Sequence, residues 1–581
     1  MWGRCYIFFA FAAAACGQTA CPPTPEFTPC DLTFDIPSDE SGAPIDLQAE
    51  FRSPHQSTGL VKAFWDGGAR WVIRYTPAEA GTYVWRIRSS LPGLGGREGQ
   101  FTATPAAKPG WLRAANVHHF AFVNAANPNH LTPHLWMGAM APGFSAMSQA
   151  QWKSLIDTRT AQHFNHLGVT LVDGATGVDF RSPRFFRAVE EKLRYANSKN
   201  IIADIALFGP NGLMEKLLPT HNDRQQWFTY ALSRLAGYDV TWQGLEGWET
   251  YDNGRELLKE IADYLTSLDP YKHTRSTRTN LSTGPVVDDG WLRYRSYQTE
   301  NDNSAGAIDQ QIYQYPAVNN FSSDAPDADT FRHRLWNAAM SGQYPSAAIP
   351  NEQAANEMKV WYEFMEGTRH WEMEPFFDAD NGRGLALEDI EYIIYVEKPG
   401  PVTVRLEKHG YDGKWFNPAN GQSVKIREIK TEIFIGEPPD RTHDWVLQIS
   451  REGHKASMLK SYKFDSREQG LVLQEVEGNP EKVPFEVVEP SGDSISLSQP
   501  PAYSVKLKRE TKALRHMTYE WTGEVTADNR SYRVIGTGPE GNLRVAAGIA
   551  REYPAALHIR LTGMNGLGKV YVLDHNYTLT K

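Results

Sequence analysis

Cysteine is confined to the start of the chain, at Cys5, Cys16, Cys21 and Cys30. With none from residue 31 to residue 581, a cysteine nucleophile and a thiolate-held metal are excluded from the body of the protein. Basic residues are also in deficit: 59 Lys and Arg stand against 69 Asp and Glu, a formal net charge of −10. A nucleic-acid partner calls for a basic stripe to neutralise phosphates, and none occurs. No apolar run reaches the roughly 20 residues that a membrane-spanning helix needs. There is no G-x-S-x-G elbow, which argues against an esterase. Gly93–Gly96 is glycine-rich, but no Lys-Ser/Thr follows, so it reads as a turn rather than a phosphate loop. Internal repeats and low-complexity tracts are missing as well.

The longest apolar run lies at the very beginning. Arg4 precedes Tyr6-Ile7-Phe8-Phe9-Ala10-Phe11-Ala12, and small residues follow through Ala15. That is the pattern of a short secretory signal, over residues 1–20, and it predicts an exported protein: secreted, periplasmic or on the outer surface of a bacterium. Cys16, set after Ala-Ala-Ala and before Gly, loosely fits a lipid-attachment site without its usual Leu. Cleavage near Ala20 would instead leave Cys21 and Cys30 free to bridge in an oxidising compartment.

What the chain has in abundance is aromatic: 17 Trp and 25 Tyr. Such rings stack on the apolar faces of sugars, and they also fill cores. A length of 581 residues is too great for one core and implies three or four domains. Residues 24–106 read as a β-sandwich, from short alternating runs at Leu32–Phe34, Leu60–Trp65, Trp71–Tyr75, Thr82–Arg88 and Gly99–Ala103. Pro77-Ala78-Glu79-Ala80-Gly81-Thr82-Tyr83 has the look of a corner in which a tyrosine anchors the turn before a strand.

From about residue 109 to 378 strands alternate with helices. Strand starts fall near 135, 168, 202, 240, 275, 292, 316 and 347, the last over Ala347–Ile349. Ser148 with Gln151 forms a capping box, Ser182-Pro183 opens a second helix, and Asp223 heads a third. Eight strands with intervening helices in about 250 residues predict a (β/α)8 TIM barrel. Residues 379–455 and 460–581 return to β alternation as two further sandwich-like domains.

The most loaded stretch is Asp239–Thr279: a buried strand, an acidic-aromatic loop holding Glu246, Trp248 and Glu249, an amphipathic helix, and another strand. Barrel enzymes place their chemistry on loops that follow strands, so these two glutamates are candidates. Asp173, at the end of the second strand, is a third candidate, with loop-pinning as its ordinary role. Arg278 would either steer an acidic sugar or pair with a neighbouring carboxylate. His118, His119, His130 and His134 cluster, but Pro133 interrupts the one helical pair; a loop of partly exposed histidines is expected, and no metal or cofactor.

Several features carry a family resemblance. They are Phe101 closing the sandwich, Gly138 at the first strand, and Arg159 with Phe164-Asn165, where His163 stands in place of a glycine. The best match runs from Val240-Thr241-Trp242 to Asp269-Pro270-Tyr271-Lys272-His273; Arg332, Trp336 and Ala339–Gly342 match loosely, as does Trp371–Asp378. In these, residues 60–450 resemble the secreted apiosidase-like glycoside hydrolases. Their order of parts is a β-sandwich, a (β/α)8 barrel and a small β-domain sometimes described as collagen-binding.

The resemblance implies hydrolysis of glycosidic bonds in plant or microbial polysaccharide. One carboxyl group protonates the leaving oxygen and a second attacks the anomeric carbon or activates water. The family's acid slot after Trp242 holds Gly247, flanked by Glu246 and Glu249. Where the family reads P-V-x-N-E, this chain reads Pro316-Ala317-Val318-Asn319-Asn320, and an amide cannot serve as nucleophile or base. The expected acid is Glu246, with Glu249 second, and the partner is Asp324, Asp173, Glu300 or Asp302. Trp136, Trp242 and Trp248 are expected as stacking surfaces, and Asn319, Asn320 and Arg278 as sugar contacts. A barrel that binds glycans without catalysis, and an adhesion protein with neither, are the alternatives.

Overall fold

The computed structural model describes residues 18–581 except residue 20 and several internal stretches, chiefly 37–43, 299–305, 452–476, 497–501, 526–532 and 544–552. The chain is a (β/α)8 barrel flanked by β-domains. The leading domain packs a four-stranded sheet, including Cys30–Asp35 and Arg70–Tyr75, on a five-stranded sheet built on Leu47–Arg52, Gly81–Ser89 and Glu98–Thr104. Alternation along Gly81–Ser89 buries Tyr83, Trp85 and Ile87 between the sheets. The Tyr83 hydroxyl accepts hydrogen bonds from the Ala78 and Glu79 N–H groups, each at 3.2 Å, as the tyrosine-corner pattern predicts. Cys21 and Cys30 are joined in a disulfide.

The barrel strands are β1 Gly138–Met140, β2 His166–Val172, β3 Ile202–Phe208, β4 Val240–Leu245, β5 Arg275–Ser276, β6 Arg295–Tyr297, β7 Ala317–Phe321 and β8 Gln343–Ala347. Seven neighbouring pairs are parallel. Between β5 and β6 the wall is closed by the Arg293 N–H donating to the Arg275 carbonyl at 2.8 Å. Outside lie α1 Gln149–Ala161, α2 Pro183–Ser198, α3 His221–Leu235, α4 Gly254–Leu268, α5 Ala328–Met340 and α6 Glu352–Glu366. The Ser148–Gln151 capping box opens α1 and Ser182 caps α2. Helix α3 begins two residues before Asp223: Thr220 is its cap and Asp223 the third-position partner of that capping box.

Two strands sit away from their expected places. The first begins at Gly138, because Leu135–Met137 is a buried approach to the barrel rather than part of its wall. The eighth covers Gln343–Ala347, ahead of the expected Ala347–Ile349. Its Tyr and Ser face a polar interior while its Gln faces outward, which hides the apolar run usual in a parallel strand.

The histidine cluster is a larger correction. Three antiparallel strands, Trp111–Ala115, His119–Asn124 and Asn127–His134, cover the N-terminal end of the barrel. Phe120 from this sheet touches the rings of Trp136, Tyr294 and Tyr344. His118, His119 and His134 are buried, not on an exposed loop. His118 bonds Glu374 and the Tyr313 carbonyl, each at 2.8 Å, and His134 bonds His166 at 3.0 Å. This sheet was not legible beforehand, because polar residues such as Arg113, His119 and Thr132 interrupt its strands.

The small β-domain packs on α5 and α6 through Trp336 stacked on Tyr395 (5.7 Å) and Phe364 against Phe416 (4.4 Å). Arg332 of α5 joins Glu357 of α6 to Asp444 of that domain in a buried ion cluster. The final β-rich part holds its own core around Phe485, Tyr503, Trp521 and Leu557. Among the described residues no helix is long and apolar enough to cross a membrane.

Candidate active site

The inner wall of the barrel carries small residues where bulky aliphatics are usual. Gly138, Gly168, Ser276, Ser296 and Ser346 share the inward register with Thr241 and Gln243. The room so made holds Arg278. A Cβ on Gly168 would lie 2.8 Å from the Arg278 Nη2 and 2.5 Å from the Met140 sulfur, so only glycine leaves space for this guanidinium. Arg278 is 4 % exposed, and its Nη2 donates to the carbonyls of Val169 (3.2 Å) and Asp204 (3.0 Å).

Glu246 stands directly past β4, at the C-terminal mouth. Its N–H donates to the Phe208 carbonyl at 2.9 Å, holding it in line with the barrel wall. Its Oε2 accepts a 2.5 Å hydrogen bond from the Thr170 hydroxyl and lies 3.8 Å from the Arg278 Nη1. That same Nη1 donates to Thr170 at 3.2 Å, so arginine and threonine form an ordered hydrogen-bonded chain that ends on the glutamate as acceptor. The Glu246 side chain is 36 % exposed, as a group that must meet a ligand requires. Gly247 follows with φ of +55°, wedged between Asn280 and Pro210. The slot that the family motif gives to an acid is here a left-handed turn, and Glu246 projects from the residue before it.

Beneath this lies a group that sequence reasoning passed over. Asp204, the one polar residue in the β3 run, is buried and accepts from Thr241 (2.6 Å), Tyr294 (2.7 Å) and Gln243 (3.0 Å). Its Oδ2 is 3.9 Å from Arg278. Burial, and then the charge of Asp204, push the Tyr294 hydroxyl well above its ordinary range, so it stays a donor. The signal was visible as a lone aspartate in an otherwise apolar strand.

The other candidate carboxylates are tied to loops. Glu249 accepts from the Thr279 hydroxyl and from the Asn280 N–H (3.0 Å), which fastens the loop after β4 to the one after β5. Asp173 accepts from the Ser145 hydroxyl at 2.5 Å and from the Ala175 N–H at 3.1 Å. Asp324, Glu300 and Asp302 lie outside the described residues.

The asparagines divide between two faces. Asn319 turns outward and donates to Gln343 at 2.7 Å. Asn320 shares a register with Ser346 and faces the interior; it is buried, donates to the Tyr297 carbonyl at 3.3 Å, and its Oδ1 has no partner among the described residues.

None of the three tryptophans can act as a stacking surface. Trp136, Trp242 and Trp248 are each fully buried. Trp136 lies flat on His166 at 3.4 Å, at the closed end of the barrel. Trp242 points outward, donating to Asp269 at 3.0 Å beneath α4. Trp248 is packed under the first turn of α4, where a Cβ on Gly254 would strike its carbonyl. The sequence shows that these positions are aromatic, but not which way strand alternation turns them.

Comparison with known proteins agrees with this architecture. Residues 24–90 match a domain of unknown function, DUF5060, and residues 380–450 match a family described as "Putative collagen-binding domain of a collagenase". No curated protein is similar enough to match the chain. Among solved structures, a "putative glycoside hydrolase" from Bacteroides vulgatus superposes with a TM-score of 0.64 at 18% identity, over 74% of this chain and 99% of that one. A protein described as a glycoside hydrolase gives 0.52 at 12% identity, over 59% of this chain and 97% of the other. A glycoside hydrolase family 5 protein from Bacteroides vulgatus gives 0.52 at 12% identity, over 59% and 94%. The fold of this chain is therefore that of the glycoside hydrolase barrels.

Proposed function

We propose that this protein is an exported glycoside hydrolase of the apiosidase-like kind, cleaving glycosidic bonds in plant or microbial polysaccharide through a pair of carboxyl groups. The observation that carries the proposal is Glu246: a partly exposed carboxylate at the mouth of the barrel, fixed by Thr170 and facing Arg278. Oε2 accepts from the Thr170 hydroxyl and lies 3.8 Å from the Arg278 guanidinium, so a donor and a positive charge both face this carboxyl group. Glu246 is therefore assigned the role of nucleophile or water-activating base, in place of the acid role expected from its sequence position. As a base it takes a proton from water as the oxygen attacks the anomeric carbon; as a nucleophile it bonds to that carbon itself. In either case a second carboxyl group protonates the leaving oxygen. We assign that acid to Glu300, Asp302 or Asp324, which follow β6 and β7 in sequence, because the end of β7 itself offers the amide of Asn320.

Asn320 also favours one other reading, a barrel that holds glycans without cleaving them. Reducing-sugar release from a panel of plant polysaccharides separates the two. Hydrolysis by the wild type, reduced about 10²-fold or more in Glu246→Gln, supports the enzyme. Glycan binding with no release supports the binding protein.

A further inference from the structure

The junction between the leading β-sandwich and the barrel wall contains a groove that the chemistry at Glu246 does not use. It encloses about 240 Å³, lined on one side by Trp65 and Trp71 and on the other by Asp223, Gln226 and Tyr230 of α3, with Arg181 at one end. The two tryptophans are directly opposed on neighbouring strands, so their rings share one face of the sheet. Asp223, Gln226 and Tyr230 are spaced three and four residues apart and share one face of the helix.

The walls are locked together. Arg234, wholly buried, pairs with Asp66 at 2.9 Å and with Glu190 at 2.6 Å, and lies over the Phe64 ring at 4.5 Å. The Tyr230 hydroxyl donates to the Trp65 carbonyl at 2.9 Å. A groove held this way needs no rearrangement to receive a ligand.

Its polar groups are available. Gln226 is exposed, and among the described residues neither Gln226 nor Thr229 has a side-chain hydrogen-bond partner. Asp223 spends one oxygen, Oδ2, on Thr220. Trp71, 2 % exposed, is packed into the sandwich core behind, so Trp65, which is partly exposed, is the ring that meets the groove. An indole ring beside an amide, a carboxylate and a guanidinium suits a pyranose or furanose, which has an apolar face and a rim of hydroxyls that both donate and accept. A purely apolar ligand would leave the polar rim unmatched. The volume lies just under the roughly 300–1,000 Å³ of ordinary small-molecule sites, and suits one or two sugar rings.

We infer that this groove is a second glycan-holding site, which grips a polysaccharide segment remote from the bond to be cleaved. Arg181 lies just before α2, and Asp223 lies in the first turn of α3. Both helix starts face the same rim of the barrel as Glu246. A chain seated there runs along the outer wall towards the mouth. The inference rests on the carbohydrate reading above but not on catalysis.

The test is native gel electrophoresis of the full protein through gels containing xylan, glucomannan, arabinogalactan or pectin, comparing wild type, Trp65→Ala, Gln226→Ala and Glu246→Gln. Gln226 is on the surface, so its replacement leaves folding intact. The expected result is retardation of wild type and Glu246→Gln by at least one polysaccharide, and its loss or a fivefold or greater weakening in both groove variants. On that polysaccharide kcat/KM should fall by a similar factor in the groove variants, with short oligosaccharides of the same sugar hydrolysed at the wild-type rate. Retardation lost in the groove variants while wild type releases no sugar would uphold the groove and remove the hydrolase. Equal retardation of all four proteins overturns the inference, as does failure of every gel to retard the wild type.

Discussion

Arg278 and Glu246 face each other across 3.8 Å at the mouth of the barrel, and the same guanidinium lies 3.9 Å from the carboxylate of Asp204 below. One buried cation thus links the exposed carboxylate to the polar floor of the site. Thr170 completes the link by accepting from Arg278 and donating to Glu246.

Arg278→Lys keeps the charge but loses the fork that reaches two carbonyls and Thr170 together. We expect kcat to fall about tenfold or more with KM little changed, and thermal unfolding within a few degrees of wild type. Arg278→Met leaves Asp204 without its cation, and a loss of about 3–5 kcal/mol in denaturant unfolding is expected. Equal kcat in Arg278→Lys and wild type would remove the positioning role.

Glu249 separates loop-fastening from chemistry. Glu249→Gln retains a side-chain oxygen for the Asn280 N–H and should lower kcat by less than about tenfold, far short of the effect at Glu246. Steady-state rates of the two Gln variants on one substrate decide this.

Asn320 faces the barrel interior but has no acid chemistry to offer. Asn320→Ala should leave the pH profile of hydrolysis unshifted while weakening kcat/KM through lost substrate contacts, by about 1–2 kcal/mol. A displaced pH optimum would mean that Asn320 borders the second carboxyl group more closely than its neighbours indicate.

The closed end of the barrel predicts how stability depends on pH. Burial, and then the positive charge of Lys108, push the His134 imidazole down to about 3, and burial also holds His166 well below its usual range. Both rings are neutral in the folded protein, one donating to the other. In the unfolded chain they bind protons near pH 6.5. Their contribution is therefore complete above about pH 6.5 and is lost progressively as pH falls towards 3. Midpoints of urea unfolding should drop between pH 7 and pH 5, and His134→Gln should flatten that slope.

Arg332 ties the barrel to the small β-domain through Asp444 (2.6 Å) and Glu357 (3.0 Å). Arg332→Met strands two buried carboxylates and should cost about 3–5 kcal/mol. Calorimetry should then show the two parts melting apart instead of together.

The architecture was legible because eight strand-like runs alternate with helices that carry capping signals, and because Pro77–Tyr83 marks a sandwich corner. The third strand stood out as an apolar run broken only by Asp204, and the second and fourth as shorter strand-like runs. The eighth was misplaced because Tyr344 and Ser346 face a polar interior while Gln343 faces outward beside Asn319, so no apolar periodicity marks the strand. At the site, Glu246 was legible from its place after a strand. Its partners were not, since Thr170 and Arg278 lie 76 and 32 residues away in sequence and meet it only through barrel closure. Trp136, Trp242 and Trp248 misled, because composition reports the presence of rings and not the face they occupy.

The role of Glu246 is tested most directly by azide rescue. Glu246→Ala would be incubated with an aryl glycoside of the sugar released by the wild type, with and without sodium azide, and the products examined by NMR. A base or nucleophile at this position predicts turnover restored by azide and a glycosyl azide of inverted anomeric configuration. A retained configuration would return Glu246 to the acid role, and wild-type hydrolysis by Glu246→Ala without azide would contradict any part for it in the reaction.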